Sequence, residues 1–569
     1  MTKITGGKVV VESLRAEGVG TVFGMIGSAT MEIFDALHDA SDIRFIGVRD
    51  ERTGTHMADG YARASGQAGV ILAGQNGPGV TNLVTGLAQA RAAYSPVVAL
   101  AGSLSTGHVY RDAFQEVDQQ ALLTPITKKT WTVTQPQRLG EMVGEAFRTA
   151  LAPRRGPVAL NMPRDILSAE VEWQPGPAAG AFTAQGFSSG ATAALDAALS
   201  LLAKAERPLI IAGGGIKNGR AHADALALAE ALNAPVATSP GHGDAIPAGH
   251  PLNAGQVGPR GNPVASDLAR NADVIVALGT RLGFNTTFYS YDNLNRAAKI
   301  IQIEAEPTAI GRFFPVEVGI LGDAGQVART LAGEVTAMRS NVVGERTAEW
   351  TSGFQEKYAA FLAERDAKAD AVEGAVIQPA QVYRAMRAVF PEDAMVTLDA
   401  GTLCLQATDA LNYRQPPALF SPLDFGLVGF SYACGLGVKA ACPERAVISL
   451  MGDGGFGMTT SEIGTAVANG LNTVAVVMNN GCWGAEKAYQ KDFFGERYIG
   501  ADVPNPPYDK LAELWGAKGF RVDKAAKLES TLSDALACGQ PAVVEIAVDP
   551  NALYSFRRDS FQHRAGARA

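Results

Sequence analysis

Short, wholly apolar runs alternate with amphipathic stretches along the entire chain. Gly69-Val70-Ile71-Leu72-Ala73, Val97-Val98-Ala99-Leu100-Ala101 and Val158-Ala159-Leu160-Asn161-Met162 show no polar–apolar alternation, the pattern of strands buried on both faces. Between them, residues 80–94 carry apolar positions at helical spacing. Strand–helix alternation of this kind predicts parallel sheets covered by helices on both sides. The pattern returns at Pro208-Leu209-Ile210-Ile211-Ala212, Asp273-Val274-Ile275-Val276-Ala277-Leu278 and Ile300-Ile301-Gln302-Ile303. It returns again at Ala446-Val447-Ile448-Ser449-Leu450-Met451 and over 473–478.

Two stretches interrupt it. Residues 174–192 are rich in Pro, Gly, Ala and Ser and read as a linker. A charged helical stretch over 345–370 ends in Glu373-Gly374-Ala375. The chain therefore divides into 1–185, 190–345 and 370–569, and each part is expected to be a doubly wound α/β domain.

Composition narrows the partners. At 569 residues, one hydrophobic core is not enough, and 47% hydrophobic with 19% charged residues is the balance of a well-packed soluble protein. A net charge of −8 argues against nucleic acid, whose phosphates demand a basic face. No run of about 18 apolar residues is present, so no membrane span is expected. The N-terminal residues have no apolar signal core, and the five cysteines are an odd number without metal-ligand spacing. A reducing, cytoplasmic setting and a small-molecule substrate are the expectation.

The strongest chemical signal is Gly452-Asp453-Gly454-Gly455, behind one apolar strand, with Asn479-Asn480 at the end of the next. This places a carboxylate and an amide oxygen at one carboxyl edge, where α/β sheets bind ligands. The glycines admit an anion to the main-chain N–H groups, and a helix expected to start near Thr459 points its positive end there. Asp453, Asn480, a backbone carbonyl and two phosphate oxygens would make the oxygen-rich set that Mg²⁺ requires. A glycine turn with Asp453 as a helix cap is the plainer reading of Gly-Asp-Gly taken alone. The flanking strands and the Asn pair favour the metal site.

This arrangement resembles that of thiamine diphosphate enzymes, and the likeness extends over the whole chain. It implies pyrimidine-binding, central and diphosphate-binding domains in that order. By this resemblance Asp453 and Asn480 hold the metal with the main chain of Cys482, and Gly401, Thr402 and Leu403 form the other edge of the diphosphate pocket. Val428, in Gly426-Leu427-Val428-Gly429-Phe430, takes the place of the apolar side chain that bends the cofactor. Glu51, after the strand Phe45-Ile46-Gly47-Val48, matches the carboxylate that shares a proton with the aminopyrimidine ring, and such a group should sit in apolar surroundings. Gln115, in Phe114-Gln115-Glu116, reaches the cofactor or substrate. Ile26, in Phe23-Gly24-Met25-Ile26-Gly27-Ser28, and Asn76, in the turn over 75–82, lie near the substrate entrance. In this family the first and third domains that share a cofactor come from different subunits, which implies a homodimer or homotetramer.

The chain has no His-His pair, which disfavours a simple 2-keto acid decarboxylase; His56 and His108 are scattered members of a set of seven. Trp483-Gly484-Ala485-Glu486-Lys487 and Phe556-Arg557-Arg558-Asp559 look like the sulfoacetaldehyde acetyltransferase branch, in which sulfite leaves and phosphate takes the acetyl group. Trp483, Lys487, Arg557 and Arg558 are then candidates for the substrate side, because paired guanidiniums suit tetrahedral oxyanions. An exposed basic tail is the alternative for the two arginines. The loop over 103–112 looks more like that of acetolactate synthases, and Asp399-Ala400-Gly401-Thr402 departs from the transferase pattern. An acetolactate synthase-like carboligase, a 2-hydroxyacyl-CoA lyase or oxalyl-CoA decarboxylase, and a non-catalytic family member stay open. Gly213-Gly214-Gly215 leaves FAD or CoA/ADP in the central domain open as well.

Overall fold

A computed structural model of the protein describes residues 2–174, 192–338, 341–372 and 374–556. Residues 175–191 of the expected linker, together with Arg557 and Arg558, lie outside these. Three six-stranded parallel sheets follow one another along the chain. The first runs, edge to edge, Arg44–Gly47, Thr21–Met25, Gly69–Ala73, Val97–Ser103, Val158–Pro163 and Lys129–Thr132. The third has the same winding: Leu419–Phe420, Met395–Leu398, Val447–Gly452, Val474–Asn479, Ala542–Ala547 and Lys518–Val522. In both, chain order reverses between the second and third strands, and the crevice there is the place where such sheets bind ligands.

The middle sheet is wound differently: Asn253–Gln256, Val236–Thr238, Pro208–Ala212, Val274–Leu278, Lys299–Glu304 and Val318–Leu321. Numbered by chain order this is 3-2-1-4-5-6, the order of dinucleotide-binding folds. The runs read as buried strands are buried throughout; Gly69–Ala73, Pro208–Ala212 and Val274–Leu278 are inaccessible or nearly so at every position. The charged stretch is one helix, Asn341–Asp370, laid against the middle domain. Trp350 Nε1 donates to Pro208 O at 3.0 Å and Thr351 Oγ1 to Asn233 O at 2.6 Å.

One apolar core spans the first and third domains, with Phe23, Ile46 and Met57 packed together with Leu436, Phe456 and Ile463. Helix Glu51–Ser65 meets helix Ser431–Ala441 backbone to backbone. A Cβ on Gly60 would fall 2.2 Å from Cys434 O, and one on Gly437 only 1.9 Å from Met57 O, so this contact tolerates no side chain at either position. A buried ion pair of the middle domain, Lys217 Nζ to Asp244 Oδ1 at 2.7 Å, holds the third domain through Lys217 Nζ, which donates to Leu419 O at 2.7 Å. Asp244 Oδ2 also accepts from the N–H groups of Ala418 and Leu419, capping the edge strand of the third sheet. Among the described residues, no helix is long and apolar enough to cross a membrane.

Candidate active site

Strand Val447–Gly452 carries its buried run straight into a short helix, Asp453–Gly457. The helix begins at Asp453 itself, and Thr459 lies in the turn before Glu462–Ala468. Close approach explains the difference from the expected start. A Cβ on Gly454 would stand 2.5 Å from the Trp483 ring, and one on Gly455 would stand 2.2 Å from Asp399 Oδ2. Glycine, a poor helix former by propensity, is used here for room.

Asp453 is 1% exposed, and every hydrogen bond that reaches its carboxylate comes from a neutral donor. Asn505 Nδ2 donates to Oδ2 at 2.6 Å, and main-chain N–H groups of Gly454 and Asn480 also face it. Burial pushes this carboxyl above the usual carboxylate range. Asn480 follows strand Val474–Asn479, and its Oδ1 accepts from Cys482 N at 3.3 Å. A buried carboxylate with no cationic hydrogen-bond donor, beside an amide oxygen and a main-chain carbonyl, fits a hard divalent ion. Asn479 points the other way, donating to Glu545 Oε1 at 2.8 Å. Among the described residues, no group of three or more His, Cys, Asp or Glu makes a separate metal centre.

The other edge of this crevice is built by Gly401, with φ of 109°, and helix Thr402–Ala410. Leu403 lies against Gly452 and Val428 against Gly455. Asp399 couples these parts: its carboxylate accepts from Ala400 N at 2.9 Å, Gly429 N at 3.0 Å and Phe430 N at 3.1 Å. Burial raises its pKa to about 6. Thr402 Oγ1 donates to Tyr554 O at 3.2 Å, so the final described segment crosses this edge. Phe556 then packs 5.8 Å from the Tyr489 ring and 5.1 Å from the Arg260 guanidinium. Lys487 is engaged by Asp502 at 2.6 Å, which raises its pKa.

A second cluster sits at the carboxyl edge of the first sheet. Glu51 opens helix Glu51–Ser65, is 4% exposed, and accepts at Oε2 from Asn82 Nδ2 at 3.0 Å. Gly79 closes on its other oxygen. Gln115, with φ of 63°, is hydrogen-bonded through its side chain to Gln75 and through its carbonyl to Asn76 Nδ2 at 3.2 Å. Gln75 in turn accepts from Ser28 N at 2.9 Å, next to the exposed Ile26. Gln119 braces the turn by accepting from Gly77 N at 3.2 Å. His56 is buried edge-on to Phe430, with its pKa pushed down to about 3 by desolvation, and is a neutral core residue; His108 is exposed.

The predicted residues thus fall into two groups, one per crevice. Asp453, Asn480, Cys482, Trp483, Gly401, Thr402, Leu403 and Val428 gather on the third sheet, and Glu51, Gln115, Asn76 and Ile26 on the first. Gln75 and Asn82 lie in the turn over 75–82 from which the sequence singled out only Asn76, and Asn505, Tyr508 and Glu545 were not picked out by sequence. Asn505 and Tyr508 carry the one usable signal, an Asn set among prolines in Asp502-Val503-Pro504-Asn505-Pro506-Pro507-Tyr508.

Three family descriptions match the chain in order. They are "Thiamine pyrophosphate enzyme, N-terminal TPP binding domain" over 4–122, the central domain over 195–331 and the C-terminal TPP binding domain over 399–546. Sulfoacetaldehyde acetyltransferase of Alcaligenes xylosoxydans xylosoxydans is 37% identical over 583 aligned positions, covering 98% of this chain and 95% of that protein.

The chain belongs to the thiamine pyrophosphate enzyme family.

Other relatives in the family are the sulfoacetaldehyde acetyltransferase of Castellaniella defragrans, 34% identical with 98% and 95% coverage of the two chains. A probable acetolactate synthase large subunit of Methanococcus aeolicus is 31% identical with 97% and 93% coverage. The protein is a thiamine diphosphate-dependent enzyme, and the two crevices lie in the parts of the chain that match the two TPP binding domains.

Proposed function

We propose that this enzyme converts a 2-sulfonated aldehyde and inorganic phosphate into acetyl phosphate and sulfite. The observation that carries the site is the buried Asp453 beside Asn480, with Glu51 buried at the matching edge of the first sheet. The similarity to sulfoacetaldehyde acetyltransferases over nearly the full chain supports the substrate. Bound thiamine diphosphate would supply a carbon nucleophile for the aldehyde. Asp453, Asn480 and the main-chain carbonyl of Cys482 hold Mg²⁺, and Gly401–Leu403 with Gly452–Gly455 hold the diphosphate. Val428 wedges the cofactor, and Glu51 keeps a proton at the pyrimidine ring nitrogen. Gln115, Asn76, Ile26, Trp483 and Lys487 line the substrate side, and Arg557 and Arg558, outside the described residues, are candidate cations for the two oxyanions on their chemistry alone. Overall, the C–S bond of the aldehyde breaks and sulfite takes its electron pair; the aldehyde carbon gives up its hydrogen as a proton, the neighbouring carbon gains one, and a phosphate oxygen, losing its own proton, forms the new bond to the acetyl carbon.

The active site is completed by a second copy, and the protein works as a homodimer or homotetramer in the cytoplasm. Supporting this, Glu51 makes its contacts within the first domain, and the nearby Tyr110 and Phe114 are 94% and 84% exposed. Apolar side chains so placed suit a partner surface.

A carboligase of the acetolactate synthase type is the second reading, favoured by a cavity of about 770 Å³ at the carboxyl edge of the middle sheet. It is lined by Gly214, Gly279, Arg281 and Glu304, with Tyr94 and Arg154 from the first domain. Both guanidiniums face the Tyr94 ring, at 4.4 and 5.3 Å. The dinucleotide-type winding and these cations suit FAD or the ADP part of CoA.

A coupled assay decides between them. With thiamine diphosphate and Mg²⁺, phosphate-dependent release of both sulfite and acetyl phosphate from sulfoacetaldehyde is expected. Turnover of pyruvate to acetolactate, with none of sulfoacetaldehyde, would establish the second reading.

A further inference from the structure

Asp453 is held by a strut that neither of the two ligand-bearing strand ends supplies. Asn505 Nδ2 donates to Asp453 Oδ2 at 2.6 Å, and Asn505 Oδ1 accepts from Tyr508 Oη at 2.7 Å. The Tyr508 hydroxyl is also 2.8 Å from the main-chain carbonyl of Asp453, so its one proton is shared between two acceptors. The Tyr508 ring is buried edge-on to Phe456 at 5.0 Å. Behind it, Glu545 on strand Ala542–Ala547 accepts from Tyr508 N at 2.8 Å through Oε2 and from Asn479 Nδ2 at 2.8 Å through Oε1. One buried carboxylate thus ties the Asn505–Tyr508 segment to the residue immediately before Asn480. Pro504, Pro506 and Pro507 flank Asn505 and fix the backbone of the segment, which lowers the entropy lost in holding it.

We propose that Asn505 and Tyr508 are positioning residues for Asp453. By engaging Oδ2 and the main-chain carbonyl they keep the carboxylate in one orientation for the divalent cation before the cofactor arrives. This rests on the reading of Asp453 as a metal ligand. Removing such an outer partner commonly weakens metal binding about 10–100-fold.

The test uses the full-length protein with thiamine diphosphate, titrated with Mn²⁺ and followed by electron paramagnetic resonance. Parent, Asn505→Leu, Tyr508→Phe and Asp453→Ala are compared, and the thermal midpoint of each cofactor-free protein is measured beside them. Asn505→Leu keeps the volume and removes the donor; Tyr508→Phe keeps the ring packing and removes the hydroxyl. The expected result is Mn²⁺ affinity about 10–100-fold lower in Asn505→Leu, a smaller loss in Tyr508→Phe, and midpoints close to the parent's. Parent-like affinity in both variants overturns the proposal, as does a lowered midpoint with affinity unchanged. If Asn505→Leu does not fold, Tyr508→Phe decides by the same criteria. Failure of the parent to take up Mn²⁺, or parent-like uptake by Asp453→Ala, overturns the metal-ligand reading instead.

Discussion

Thr53 Oγ1 donates to Glu462 Oε1 at 2.5 Å, from the first domain into the third. The same oxygen accepts from Arg49 N at 3.0 Å, and Glu462 Oε2 accepts from Thr465 Oγ1 at 2.6 Å. Glu462 is fully buried, and desolvation pushes its carboxyl above the ordinary range. Arg49 and Thr53 bracket Glu51, so a carboxylate of the third domain fixes the helix turn that carries the candidate proton-holding group of the first.

Glu462→Ala takes the acceptor from the Arg49 N–H, leaves Thr53 Oγ1 only Asp50 O at 2.7 Å and leaves Thr465 Oγ1 only the long contact to Gly47 O at 3.4 Å. One buried N–H orphaned in this way, with two hydroxyls weakened, should cost about 1–3 kcal/mol. Glu462→Gln retains an acceptor for Arg49 and Thr53 and can donate to Thr465, so its loss should be smaller. Thermal melting of the cofactor-free proteins checks the order; equal midpoints for the two variants would show that the acceptor is immaterial.

The Lys217–Asp244 pair is inaccessible on the Asp side and 10% exposed on the Lys side. Removing one partner of a buried pair leaves a stranded charge and costs about 3–5 kcal/mol. Lys217→Met should therefore destabilise strongly and loosen the Leu419–Phe420 edge. The pair Arg329–Asp224, with the arginine 70% exposed, is the comparison, and Arg329→Met should cost about 0–1 kcal/mol. Hydrogen exchange at Ala418 and Leu419 reports the local effect, and unchanged protection in Lys217→Met would contradict it.

Asp399 gives a pH dependence with a definite sign. Its pKa is raised by burial from 3.8 to about 6 in the folded chain, so the folded state binds the proton more tightly than the unfolded one. The associated stability is fully present below the unfolded value and is lost as pH rises through about 6. Asp399→Asn removes this dependence, although the amide group forfeits the bond from Gly429 N. The thermal midpoint of the cofactor-free variant should vary less than the parent's over about pH 4–7. Equal slopes would mean that Asp399 stays ionised throughout.

Much of this architecture was legible because buried parallel strands write themselves as unbroken apolar runs. The runs that form Val447–Gly452 and Val474–Asn479 put Asp453 and Asn480 at one edge from the sequence alone. Glycines were the weak point. Gly454 and Gly455 read as a loop because their propensity opposes a helix, yet contact with Trp483 and Asp399 requires them inside one. The strut was less legible still: Asn505 lies 52 residues from Asp453, in a proline-rich stretch with no periodicity. Glu462 reads as an ordinary helix-start acid, and only its partners 409 and 413 residues away show its role. Arg557 and Arg558 fall beyond the described residues and stay candidates on chemistry alone.

If Glu51 works on a cofactor anchored by a neighbouring copy, two inactive variants should restore one another. Glu51→Gln removes an ionisable group from the first crevice and should lower turnover by about 10²–10⁴-fold while cofactor binding persists. Asp453→Ala should lose the metal and with it the cofactor. In a twofold dimer made of one copy of each, one site carries both defects and the other carries neither. Random pairing of equal amounts makes half of the dimers mixed, so co-expression should yield about a quarter of the parent activity. Each variant expressed alone should remain near background. Were the two groups to serve one site within a single chain, every site in the mixture would contain a defect, and co-expression would restore nothing. Differently tagged copies, purified through both tags, isolate the mixed dimer and raise the expected value to about half.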